Sequence, residues 1–317
     1  MESTNGSNGK SIHLKVIGLQ DNARDVSGIK IGDYFKELRG QMIKANVKIV
    51  RADLSKHDYI YLVPLSDFHW DEPQSDHEAI RGYVDWIASH KNAYTLLNGD
   101  LVTAPTYKSA ANLYEMAEPG QLIEFPSLDQ CSNELEALLK PIAKKILAAC
   151  SGGHELKNVF RATGTDWTYN LMKRLGIEDR YCRDGGVLLI RTKPANINDN
   201  TFFTAYFTHG YGGARTRGAK INKIDWLTKV FHADIYIMSH DHTQNLTRAN
   251  YMEVPEWDLS HPDVHRKILV STGAFRSYAG YPLRSGYEPS DLGTPRIRIG
   301  KKVDEHGRVS PDIHASI

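Results

Sequence analysis

Residues 59–70 read Tyr-Ile-Tyr-Leu-Val-Pro-Leu-Ser-Asp-Phe-His-Trp. The first half is aromatic, β-branched and apolar, which predicts a buried strand, and the stretch runs straight into Asp67 and His69. Two metal-capable side chains therefore stand at a strand's carboxyl end, separated by one residue. In an open α/β sheet ligands bind at that end, and residues two apart can face the same opening. Taken alone, the stretch equally fits an Asp that caps a turn and a His that packs in the core.

The layout recurs. A short strand over 93–97 ends in Asn98-Gly99-Asp100, and another over 146–150 opens into Ser-Gly-Gly-His154-Glu155. A third over 202–208 ends in His209-Gly210, and a fourth over 234–238 ends in Ser239-His240-Asp241-His242. Helical periodicity over 78–90, 133–145 and 221–231 separates these strands, and further strands are expected at 187–191, 268–271 and 296–299. From Tyr59 onward strands alternate with helices, so the fold class is α/β.

A sheet brings its strand ends onto one edge, so five strands that each end in Asp or His point to one site. The inventory is two carboxylates, Asp67 and Asp100, and five imidazoles, His69, His154, His209, His240 and His242. Mixed oxygen and nitrogen donors without a thiolate suit Mn²⁺, Fe or Zn²⁺ better than a soft metal or Ca²⁺. A shared carboxylate could bridge two ions about 3.5–4 Å apart, an arrangement that clamps the attacking and leaving oxygens in displacement at phosphorus.

Upstream, residues 1–10 are polar and expected to fray, 12–17 alternates as a half-buried strand does, and 31–45 carries a helical pattern. The expected organisation is an N-terminal extension, residues 1–57, packed on a main domain, residues 58–317. The 41% hydrophobic content is enough to fill a core. Lys+Arg 39 against Asp+Glu 38 leaves no global field to draw the chain to nucleic acid or an anionic membrane. Three widely spaced cysteines give neither a disulfide framework nor a paired metal spacing, which fits a reducing cytosol. With no signal-peptide run and no membrane-length apolar stretch, the expected location is cytoplasmic, host cytoplasm if the chain is viral.

The order Asp67-x-His69, Gly99-Asp100, Gly-x-His154-Glu155, His209, His240-x-His242 resembles the calcineurin-like metallophosphoesterase superfamily from Tyr59 to the C-terminus. Residues 152–166 and 209–220 look like its bacteriophage-type and prokaryotic members. The resemblance implies a four-layer α/β/β/α sandwich of two mixed sheets flanked by helices, with a dimetal site at the strands' carboxyl ends. It implies that Asp67, His69 and His242 bind one ion, that Asp100 bridges, and that His209 and His240 bind the second. His154 would be the catalytic acid or transition-state contact near the leaving oxygen. The cofactors implied are two divalent ions, Mn²⁺ first, with Fe, Zn²⁺ or Ni²⁺ as alternatives. The substrate implied is a phosphodiester of a nucleotide or nucleic-acid end, with no membrane partner.

Two positions depart from the family pattern. Gly153 stands where the family usually has a metal-binding Asn, and Ser239 stands where it usually has Gly. The second ion then keeps three protein ligands instead of four, and a competing reading follows: a weakly active member that binds a nucleotide or a partner protein without efficient turnover.

Around the motifs, Arg215, Arg217 and Lys220 either meet substrate phosphates or line a solvated turn. Glu155 either orients His154, replaces the ligand missing at Gly153, or serves a surface or helix-start role. Trp167, Tyr169 and Tyr211 read as core before base-stacking residues, and Arg161 and Asp166 as loop organisers.

Overall fold

Strand β2 (Tyr59–Leu65) is apolar at nearly every position because both its faces are covered: Ile60 and Leu62 enter one core, Val63 and Leu65 another. The computed structural model describes residues 47–105, 125–196, 199, 201–254, 261–278, 286–289, 291–303, 305 and 309–317. Within them β3 (Ala93–Asn98) pairs parallel with β2, and β4 (Ile146–Cys150) parallel with β3. On the other side β10 (Arg296–Val303) pairs antiparallel with β2, and β11 (Val309–Ser316) antiparallel with β10. The result is a mixed five-stranded sheet in the order β11-β10-β2-β3-β4.

A second mixed sheet contains β1 (Ile49–Asp53), β5 (Gly186–Arg191), β6 (Phe203–Thr208), β7 (Ile235–Met238), β8 (Asn245–Glu253) and β9 (Asp263–Ser271). Its order is β1-β5-β6-β7-β9-β8, with β6, β7 and β9 mutually parallel. The inner faces meet in one core, where Ile60, Leu62 and Leu96 share a cluster with Phe203, Phe207, Ile235 and Ile237. Burying each such side chain contributes about 1.5–3 kcal/mol of transfer free energy.

The outer faces are covered by helices. α1 (His77–Ser89), α2 (Leu128–Leu139) and α3 (Trp167–Arg174) pack Ile80, Val84, Ile87, Leu135 and Leu171 against the five-stranded sheet. α4 (Arg217–Val230) sets Ile224 and Leu227 against Tyr236 and Met238 of the second sheet. The four-layer arrangement of helices, sheet, sheet and helix is the one expected.

Local signals place the helix starts. Asp76 caps α1 by accepting the Ala79 N–H at 2.9 Å, and Ser127 caps α2 by accepting that of Gln130 at 3.1 Å. The Ser127 cap starts α2 five residues ahead of the expected 133, and residues 140–145 tighten into a 3₁₀ turn with Pro141 near its start. β1, drawn from the stretch read as an extension, pairs with β5 inside the second sheet. The strand and helix expected at 12–17 and 31–45 lie outside the described residues. All three cysteines are buried and unpaired. Among the described residues no helix is long and apolar enough to cross a membrane.

The parallel strands β2, β3 and β4 deliver their carboxyl ends to one edge, and β6 and β7 do the same in the second sheet. Asn98, at the end of β3, stitches the two edges together. Its Nδ2 donates to Thr208 O at 2.8 Å and to Ser239 Oγ at 2.6 Å.

Candidate metal centre

The turns that follow these strands adopt backbone conformations that L-residues seldom take. Among the described residues six non-glycine positions have positive φ, and five of them are Asp67 (52°), His69 (47°), Asp100 (51°), His240 (74°) and His242 (52°). Such positions cost about 1–3 kcal/mol each and persist where the surroundings over-determine them. Here main-chain bonds between turns do so: Asp67 N–H donates to Gly99 O at 3.0 Å, and His69 N–H to Asp100 O at 3.1 Å. Ser239 N–H donates to His209 O at 3.0 Å. Two glycines permit the close approach. A Cβ on Gly152 would fall 2.1 Å from Asp100 Oδ1, and one on Gly99 (φ +84°) would fall 2.5 Å from Gly152 N.

The strained turns aim their side chains at two adjacent foci. Asp67, His69 and His242 form one triad, and Asp100, His209 and His240 the other; within each, one atom per residue lies within 4.8 Å of the rest. In the first, His242 Nε2 stands 3.2 Å from Asp67 Oδ1 and 3.2 Å from His69 Nε2. In the second, His209 Nε2 stands 3.0 Å from Asp100 Oδ2. The triads touch, since His240 N–H donates to Asp67 Oδ2 at 3.4 Å, and the ring of His69 meets that of the neighbouring His154 edge-on at 5.1 Å.

These residues fit a divalent cation. Asp67 Oδ1, Asp100 Oδ2, His209 Nε2 and His240 Nδ1 are buried, and among the described residues none of the four has a hydrogen-bond partner outside the triads. Orphaned buried polar atoms are costly, and converging ones mark a place for a shared partner. Ligand atoms about 2.0–2.1 Å from one ion stand about 3.0–3.4 Å apart, the spacing of the pairs His242–Asp67, His242–His69 and His209–Asp100. His209 is further prepared by its Nδ1, which lies 2.7 Å from the Asn98 carbonyl. A carbonyl only accepts, so Nδ1 carries the proton and Nε2 faces Asp100.

The electrostatics say the same. Burial, reinforced by His242 and His154, holds His69 well below the ordinary imidazole range. Burial, followed by His209, lowers His240. Burial opposes charge on His209 and on Asp100 as well, but the two outweigh it for each other, raising His209 and lowering Asp100. The second triad thus holds a carboxylate that demands a buried positive charge, supplied by a proton on His209 or by a cation.

No family model matches the chain, and no curated protein sequence does. Among solved structures it is similar to a single mutant of Vps29 from Entamoeba histolytica at 12% identity and a TM-score of 0.37, covering 81% of this chain and 100% of that one. Vps29 from Chaetomium thermophilum follows at 11% identity and 0.36, covering 81% and 95%. A Streptococcus pneumoniae TIGR4 protein described as a predicted phosphoesterase follows at 11% identity and 0.32, covering 81% and 98%. Likenesses this distant add nothing to the chemistry, which rests on this chain's own residues.

His154 belongs at the rim. Its backbone N–H donates to Asp100 Oδ1 at 2.8 Å, while its side chain, 39% exposed, places Nε2 3.9 Å from Asp100 Oδ2. Glu155 corrects the surface reading. It is buried at the start of a π-helical turn (Glu155–Phe160) and accepts the N–H groups of Asp100, Leu101 and Gly152 at 3.1, 2.6 and 2.9 Å. It therefore braces the Asp100 turn from behind, and burial together with Asp100 raises its carboxyl to about 8. Ser239 uses the hydroxyl that a glycine would lack to take the bond from Asn98.

The basic residues after His209 are engaged within the protein. Lys220 is buried, with Nζ bonded to Asp241 O and Thr243 Oγ1, and it supports the His242 turn from below. Arg217 pairs with Glu288, and the Arg215 guanidinium lies 5.8 Å from the Tyr287 ring centre. Trp167 is core, while Tyr169 and Tyr211 are exposed. Asp166 caps α3 and binds Tyr181 and Arg183, as a loop organiser should. Sequence reasoning missed the supporting polar residues Asp71, Glu72, Asn98 and Thr103. The acidic pair that follows His69 by two and three residues was the available signal.

Proposed function

We propose that the two triads bind a pair of divalent cations and that this chain hydrolyses phosphoesters as a calcineurin-like metallophosphoesterase. The observation that carries the reading is the contact between two largely buried Asp/His triads, in which Asp67 Oδ1, Asp100 Oδ2, His209 Nε2 and His240 Nδ1 have no hydrogen-bond partner outside the triads among the described residues. The donor set favours Mn²⁺, Fe or Zn²⁺. When bound, such ions supply Lewis acidity toward a phosphoryl oxygen and toward water.

The chain's own residues do the rest. Asp67, His69 and His242 hold one cation, Asp100, His209 and His240 the other, with Asp100 central because His154 and His209 both converge on it. His154, partly exposed and anchored through its own N–H, is placed to hand a proton to a leaving oxygen or to contact developing charge. The substrate proposed is a phosphodiester of a nucleotide or nucleic-acid end. A net charge of +1 does not support tight duplex binding.

Gly153 favours a second reading. Lacking a side chain, it contributes no ligand to the second triad, and a chain with one weak site would bind a phosphate-bearing molecule and turn it over poorly. Hydrolysis of bis(p-nitrophenyl) phosphate beside p-nitrophenyl phosphate, with and without Mn²⁺, decides between them. Mn²⁺-dependent cleavage of the diester, lost in Asp100→Asn, supports the enzyme. Inertness toward both compounds in protein carrying two ions would overturn it.

A further inference from the structure

His69 is held from behind by a chain of three side chains. Its Nδ1 lies 2.8 Å from Thr103 Oγ1, which lies 2.6 Å from Glu72 Oε1, and Glu72 Oε2 pairs with Arg276 Nε at 2.8 Å. His69, Thr103 and Glu72 are all buried. Thr103 is itself pinned through its main chain: its N–H donates to Asp71 Oδ1 at 2.7 Å, and its carbonyl accepts from Asn158 Nδ2 at 2.8 Å.

The proton count along this chain has one solution. A hydroxyl has a single proton, and a carboxylate paired with an arginine only accepts, so Thr103 donates to Glu72. Thr103 is then left to accept from His69, which puts the imidazole proton on Nδ1 and the lone pair on Nε2, the atom 3.2 Å from His242 Nε2.

We propose that Thr103 is a positioning residue that fixes the tautomer and ring orientation of His69 through the Glu72–Arg276 pair, so that Nε2 presents its lone pair to the cation shared with Asp67 and His242. The proposal rests on the cation reading of that triad. A hydrogen bond to a carboxylate, here relayed by a hydroxyl, also makes the ligand nitrogen more basic. His242 differs in being 32% exposed at its side chain, so His69 is the buried imidazole of the triad.

A structural role for the hydroxyl and a positioning role separate in the full chain. Thr103→Val keeps the branched shape and removes the hydroxyl, and Thr103→Ser keeps the hydroxyl. Imidazole ¹⁵N shifts in metal-free, uniformly labelled protein should report the Nδ1–H tautomer for His69 in the wild type and in Thr103→Ser, with the Nε2–H form appearing in Thr103→Val. Calorimetric titration with Mn²⁺ alone should show the first-triad affinity weakened about 10–100-fold in Thr103→Val and restored in Thr103→Ser. Thr103→Ala carries the same expectations should the valine variant fail to fold. Wild-type tautomer and wild-type Mn²⁺ affinity in the hydroxyl-free variants would overturn the proposal, as would an Nε2–H tautomer in the wild type. A wild-type chain that binds no Mn²⁺ would defeat the cation reading, and the ¹⁵N shifts of the metal-free protein would still decide the part played by Thr103.

Discussion

The Nε2 atoms of His69 and His242 stand 3.2 Å apart, and Asp67 Oδ1 lies the same distance from the second of them. Three donors at that spacing can share a cation. Removing the partly exposed member, by His242→Ala, is expected to lower the bound Mn²⁺ from about two ions per chain to about one, because the second triad keeps its own ligands. Elemental analysis of protein dialysed against Mn²⁺ measures this, and an unchanged content would take His242 out of the ligand set.

His154 is expected to matter for rate and not for occupancy. Its main-chain bond to Asp100 survives truncation, so His154→Ala should lower kcat by about 10²–10³-fold with metal content unchanged. Parallel loss of metal and rate would make it a ligand.

Gly152 and Gly153 are adjacent and should respond oppositely to an added side chain. At Gly153 a Cβ meets, among the described residues, only Lys157 Nζ, at 3.8 Å, so Gly153→Asn should fold normally and lower the Mn²⁺ concentration that gives half-maximal rate. At Gly152 a Cβ would collide with Asp100 N at 2.2 Å, so Gly152→Ala should cost about 1–3 kcal/mol and disturb the second triad. Thermal unfolding and metal titration of the two variants check the pair. A Gly153→Asn chain with no gain in metal affinity would mean the missing ligand is not limiting.

Far from the site, the buried Asp199–Lys301 pair, 2.7 Å apart, gives the fold an acid-sensitive clasp. Burial alone would raise the Asp199 carboxyl, but Lys301 and the N–H groups of Ala195 and Thr201 outweigh it and hold it below the ordinary carboxylate range. A folded-state pKa below the unfolded one means stabilisation that is complete above about pH 4 and lost as pH falls through the folded value. Asp199→Asn should flatten the acid limb of the stability curve, and Lys301→Met should cost about 3 kcal/mol near neutrality by stranding a buried charge. Urea midpoints between about pH 2 and pH 7 test both, and an unaltered acid limb in the asparagine variant would contradict the assignment.

The alternating strands and the gathering of their Asp and His ends were legible because they depend on period and order: strands buried on both faces read as apolar runs, and a parallel sheet must gather its strand ends. The four layers and the division into two triads came from the family resemblance. The left-handed turns at Asp67, His69, Asp100, His240 and His242 were not legible, since backbone strain is imposed by neighbouring turns that sequence does not show. Lys220 was misread for a related reason. A lysine after a glycine-rich loop looks the same whether its ammonium meets phosphate or turns inward to Asp241 O and Thr243, and the Thr216 cap that starts α4 at Arg217 decides which. The surface reading of Glu155 failed because backbone N–H groups from two turns, Asp100–Leu101 and Gly152, converge on it. β8 went unseen because an edge strand such as Asn245–Glu253 carries few apolar residues to show its period.

Anomalous diffraction at the manganese edge, from crystals of the full chain grown with Mn²⁺, tests the paired-cation reading most directly. Two peaks are expected, one among Asp67, His69 and His242 and one among Asp100, His209 and His240. An absence of density at both triads, or peaks only elsewhere on the protein, would contradict it.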